Sequence, residues 1–73
     1  MLSRIEYYKL CLSNAVSVDA DIDGKLWYSI GTDENGMPLD ADAEYVENCW
    51  TGNTVDDAMN DAYVSYTNIA KEK

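Results

Sequence analysis

From Ala15 onward the apolar positions recur every second residue, a spacing that no helix face can bury. Val16, Val18, Ala20 and Ile22 alternate with Ser17, Asp19, Asp21 and Asp23, which is the pattern of a half-buried strand. Asp23-Gly24 follows and marks a hairpin. The faces select the register. A three-residue loop, Asp23-Gly24-Lys25, sets Ile22 opposite Leu26, Ala20 opposite Tyr28 and Val18 opposite Ile30. A two-residue turn would instead place Asp19 against Tyr28, so the three-residue loop is preferred. It collects Ser17, Asp19, Asp21, Trp27 and Ser29 on the second face.

The flanking segments follow other rules. Ser3 and Glu6 form a capping box with Leu2 and Tyr7 as its hydrophobic staple, and Leu2, Ile5, Tyr8 and Leu12 recur on one face, which predicts a helix over residues 4–13. Residues 32–38 are a loop by their Asn-Gly and Pro content. Leu39, Ala41, Ala43 and Tyr45 then alternate with Asp40, Asp42 and Glu44, which predicts a third strand running to Trp50 with an acidic outer face. Thr51-Gly52-Asn53 breaks it. Thr54 caps a last helix whose apolar face is Val55, Ala58, Met59, Ala62, Tyr66, Ile69 and Ala70, flanked by Tyr63. Asp56, Asp57 and Asp61 complement its positive end, and Lys71 and Lys73 its negative end. The expected fold is α+β, ordered α-β-β-β-α, with a small three-stranded antiparallel sheet and both helices on one face.

A chain of 73 residues is one domain, 1–73, and its six Tyr and two Trp suffice for a compact core. No apolar run is long enough for a signal peptide or a membrane span, so a cytoplasmic protein is expected. Cys11 and Cys49 lack CxxC spacing and any histidine partner; buried, reduced thiols are expected and a zinc site is not. Charge is the unusual quantity, with a formal net of −9. Lys25 is the last base before Lys71, and between them lie Asp33, Glu34, Asp40, Asp42, Glu44, Glu47, Asp56, Asp57 and Asp61. Such a surface repels nucleic acid and anionic membrane and steers the protein toward basic partners.

Three chemistries can be weighed against these residues. Asp19, Asp21 and Asp23 with Gly24 resemble the start of a calcium loop, but Ile30 stands where the bidentate Glu belongs, and an alternating strand with an Asp-Gly turn explains the same letters. Catalysis lacks its usual groups: there is no histidine, and no base to activate either thiol, so no enzyme and no cofactor are expected. The third is the acidic face itself. It comprises Asp19 and Asp21 on one strand, Asp40, Asp42 and Glu44 on another, and Asp33 and Glu34 on the loop; alternate strand residues stand about 6.6 Å apart, broadly like phosphates along a nucleic-acid strand. Trp27 falls among them as an interface anchor.

Residues 48–62, from Asn48-Cys49-Trp50-Thr51-Gly52-Asn53-Thr54 to Ala62, resemble the signature of HicB-type antitoxins, which implies a domain that blocks a ribonuclease toxin. In size, acidity and lack of catalytic residues the whole chain is similar to phage-encoded inhibitors of host defence, including anti-CRISPR proteins. The element order also resembles double-stranded RNA-binding domains, but Asp56 and Asp57 stand where their helix is basic, which disfavours RNA. The leading expectation is an anti-CRISPR-like inhibitor, monomer or homodimer. It would cover the nucleic-acid surface of a basic partner, a nuclease or CRISPR effector subunit, through Asp19, Asp21, Trp27, Asp33, Glu34, Asp40, Asp42 and Glu44. A HicB-like antitoxin, or a calcium-binding or structural subunit of a larger assembly, is the alternative.

Overall fold

A computed structural model describes residues 1–72. The elements are a first helix α1 (Arg4–Leu10), a π-helical segment (Cys11–Ala15), strands β1 (Val16–Ala20), β2 (Leu26–Thr32) and β3 (Asn48–Gly52), and a last helix α2 (Val55–Glu72). Lys73, expected near the end of α2, lies outside the described residues. The strands form one antiparallel sheet in the order β1-β2-β3. Tyr7, Cys11, Ile30, Ala58, Met59, Ala62 and Tyr66 form a single buried cluster, so both helices pack over the sheet face that carries Ile30.

α1 begins at the expected capping box. The Ser3 hydroxyl accepts from Glu6 N–H at 3.2 Å and the Glu6 carboxylate accepts from Ser3 N–H at 3.2 Å. That backbone donor, ahead of the Ser3 hydroxyl, holds the Glu6 carboxyl below the usual carboxylate range. The buried stripe differs from the expected one. Ile5 and Leu12 are 70% and 61% exposed, while Tyr7, Cys11 and Ala15 are buried. Residues four apart drift around an α-helix, and the wider π turn drifts them back, so Tyr7, Cys11 and Ala15 all stay toward the core. Burying Tyr7 contributes about 2 kcal/mol of apolar transfer, and its hydroxyl donates to the Gly36 carbonyl at 2.6 Å.

The hairpin keeps the expected faces but moves by two in register, pairing Asp19 with Trp27 and Val18 with Tyr28. The loop is Ile22-Asp23-Gly24, closed by Asp21 and Lys25, with Gly24 at φ +82 in its last position. A type I turn ending in a left-handed glycine is the ordinary three-residue hairpin, which explains why Gly24 is last and not central. Residues 33–37 repeat this loop, with Gly36 at φ +80. The chain then returns beside β2, where Thr32 bridges Pro38.

The third strand is the main correction. Residues 39–47 form no strand; β3 begins only at Asn48. Alanine and aspartate are poor strand formers, and the apparent alternation there comes from a turn, in which Asp40 takes Asp42 N–H on its side chain at 3.1 Å and Ala43 N–H on its carbonyl at 2.9 Å. α2 matches its expected cap, with Asp57 N–H donating to the Thr54 hydroxyl at 3.1 Å. Its close entry onto β3 requires Gly52, where a Cβ would lie 2.6 Å from that of Asp57.

Candidate functional site

The segment 38–47 is an acidic strap laid across the sheet face opposite the helices. It leaves β2 where Leu39 N–H donates to the Gly31 carbonyl at 2.8 Å, and rejoins the sheet where Glu47 N–H donates to the Thr32 carbonyl at 2.9 Å. In between, Val46 packs on bare Gly31, where a Cβ would lie 2.6 Å from its Cγ1. Asn14 ties the strap from the other side: its carbonyl accepts Ala41 N–H at 2.9 Å and its amide donates to Asp40. Ser17, Ser29, Gly31 and Cys49 on the sheet, with Asp40, Ala43 and Val46 on the strap, line a half-open pocket of about 230 Å³.

This placement separates the carboxylates that the sequence pattern grouped. Asp19 and Trp27 do face each other on the second sheet face, beyond the strap, with Asp19 exposed and Trp27 half-buried. Asp21 is a loop former: one carboxylate oxygen accepts Asp23 N–H at 3.0 Å and Lys25 N–H at 2.8 Å. Asp33 does the same for Asn35 and Met37, at 2.8 and 3.0 Å. Glu34 sits exposed on that second loop. The two loops lie at opposite ends of β2, about 20 Å apart, so Asp33 and Glu34 do not extend the Asp19–Asp21 row. Asp40 is likewise engaged in holding the strap. Asp42 and Glu44 are exposed, and among the described residues no group hydrogen-bonds their carboxylates. The expected single face of carboxylates is therefore replaced by an acidic strap next to a smaller Asp19–Trp27 patch.

The strap also displays Tyr45, which the alternation had placed inward. It is 73% exposed and donates to Glu47 at 2.6 Å. That hydrogen bond, with the Glu47 charge, raises the phenol above its ordinary pKa. An aromatic ring held among free carboxylates is the arrangement that receives guanidinium or ammonium groups. The one signal in sequence was a tyrosine set in a run of alanines and acids, a poor context for a strand.

Asp19, Asp21 and Asp23 are not gathered around a common point; among the described residues no three Asp, Glu, Cys or His side chains are placed to hold a metal ion. Cys11 is buried as expected, which pushes its thiol up to about 11. Cys49 is exposed, contrary to expectation: it pairs with Gly31, on the sheet face away from the helices and their core. Arg4 lies over the Tyr63 and Tyr8 rings at 4.8 and 5.6 Å and donates to Tyr8 and Asn60, so it serves the junction of α1 and α2. No described helix is long and apolar enough to cross a membrane. No protein-family model, curated protein or solved structure matches this chain.

Proposed function

We propose that this protein is a non-enzymatic inhibitor, anti-CRISPR-like in kind, that binds a basic nucleic-acid-handling partner and covers its nucleic-acid surface. The strap is the observation that carries this reading. It holds Asp42 and Glu44 free and Tyr45 out in solvent, on a segment without a single base. A partner built to bind phosphates offers Lys and Arg at matching spacing, and Tyr45 adds a ring for one of them. Asp19 and Trp27 extend the contact along the same sheet face, while Asp21, Asp33 and Asp40 shape the backbone that presents it.

The strand, turn and capped helix formed by residues 48–62 favour one second reading, a HicB-like antitoxin neutralising a ribonuclease toxin. Both readings share the strap and differ in the partner.

The test pairs affinity capture from a host lysate with an inhibition assay on the captured protein. The wild-type chain is expected to recover a basic nucleic-acid-binding protein at low salt, less at high salt, and to block its nucleic-acid binding. Asp42→Lys combined with Glu44→Lys should keep the fold and weaken capture by about tenfold or more. Recovery of no basic partner at either salt, or of one that still binds nucleic acid in the complex, overturns the proposal.

A further inference from the structure

Beside its core stripe α2 carries a second one, Asp61, Val64, Ser65, Asn68, Ile69 and Glu72, which the helical period aligns along one shoulder of the helix. With Trp50 of β3 this stripe lines an open groove of about 360 Å³. Trp50 Nε1 donates to the Thr32 hydroxyl at 3.3 Å, which orients the indole, and Val64 is 44% exposed. β3 is an edge strand, so one row of its backbone N–H and C=O groups faces away from β2 beside this groove. Among the described residues, Asp61 and Glu72 supply the charges along it, both negative.

We propose that the β3 edge and this groove together receive an extended, Lys- or Arg-bearing segment of a partner protein as a fourth strand. Backbone pairing along β3 provides the register, and the aliphatic stem of a cationic side chain lies over Trp50 and Val64 with its head toward Asp61 or Glu72. The α2 stripe spans about 16 Å, the length of about five extended residues, which matches the five of β3. A second copy of this chain is the wrong occupant: it carries a net charge of −9 and would bring acids against acids. The groove faces a different side from the strap, so this inference stands or falls separately from the function proposed above.

The probe is a short, end-blocked peptide of alternating Val and Lys, titrated into the isotope-labelled full-length protein. Amide shifts are expected at Cys49, Thr51 and residues 61–72. A Val/Glu peptide, and the Val/Lys peptide N-methylated at alternate backbone nitrogens, should each bind about tenfold weaker or worse. Val64→Arg should weaken the Val/Lys peptide by a similar factor without lowering the melting temperature. Asp42→Lys with Glu44→Lys should leave peptide binding in place, which separates the groove from the strap. Shifts confined to residues 42–47, equal binding of the acidic or N-methylated peptide, no saturable binding, or dimerisation of the free chain through β3 would each overturn the inference.

Discussion

In residues 21–25 and again in residues 33–37 the leading Asp N–H donates to the carbonyl four residues on, and the Gly N–H donates back to the Asp carbonyl. In both, the Asp carboxylate accepts the N–H groups two and four residues ahead. The two loops are one structure in two environments. A Cβ added at Gly24 would meet nothing within 4 Å, and neighbouring Ile22 is fully exposed. A Cβ added at Gly36 would lie 2.8 Å from the Tyr66 Cα, and the Gly36 carbonyl accepts the buried Tyr7 hydroxyl. A local motif can therefore build a turn unaided, while its contribution to stability depends on what packs against it.

The largest effect that would test this contrast is Gly36→Ala. It combines left-handed strain with a backbone clash, so we expect a loss of about 3 kcal/mol or more in urea unfolding. A loss no greater than that of the same change at Gly24 would break the comparison. Next comes Tyr7→Phe, which leaves the Gly36 carbonyl buried without its donor and should lose about 1–3 kcal/mol.

Tyr7 and its neighbour Cys11 also set an alkaline limit. Burial first, then the neighbouring Cys11, raises the Tyr7 phenol above its ordinary value, and burial pushes the Cys11 thiol up to about 11. The unfolded chain releases these protons at about pH 8.5 for the thiol and about 10 for the phenol. Folded protein thus holds protons that unfolded protein has lost, so stability is complete below pH of about 8.5 and declines as pH rises beyond it. Tyr7→Phe should flatten part of that decline; an unchanged slope would mean the hydroxyl is not what titrates.

Smallest are changes in the free loop. Gly24→Ala should cost about 1 kcal/mol, from backbone strain alone, and Ile22→Ser should fall within about 0.5 kcal/mol of zero. A large loss at Ile22, read from the same unfolding curves, would show that the first loop has a packing partner after all.

Much of the architecture was legible where the determinants are local. The Ser3–Glu6 box, the Thr54 cap and the α2 stripe as far as Tyr66 each depend on residues within a turn or two, and each is present; Ile69 and Ala70, expected on that stripe, lie outside the buried core, with Ala70 exposed and Ile69 lining the groove beside Trp50. The candidate site was legible only in part. Asp19, Glu34, Asp42 and Glu44 are exposed and Trp27 is half-buried, whereas Asp21, Asp33 and Asp40 hold turns. An aspartate on a strand face and one closing an Asx turn look alike in a polar–apolar pattern. Asp-x-Asp-Gly and Asp-x-Asn-Gly did carry the turn signal, with the glycine marking the last loop position.

By itself the sequence determined where helices start, where chains reverse, and that the middle of the protein would be acidic without bases. Those properties follow from side chains acting on their own backbone or from counting charge. Only the tertiary structure decided that Tyr7 and Cys11, not Ile5 and Leu12, face the core, that residues 38–47 cross the second sheet face, and that Tyr45 stands in solvent. Each of these depends on close packing between distant segments: Tyr7 on Gly36, Val46 on Gly31, Asp57 on Gly52. Such contacts are settled by shape at sub-ångström tolerance, and a hydrophobic pattern does not encode shape.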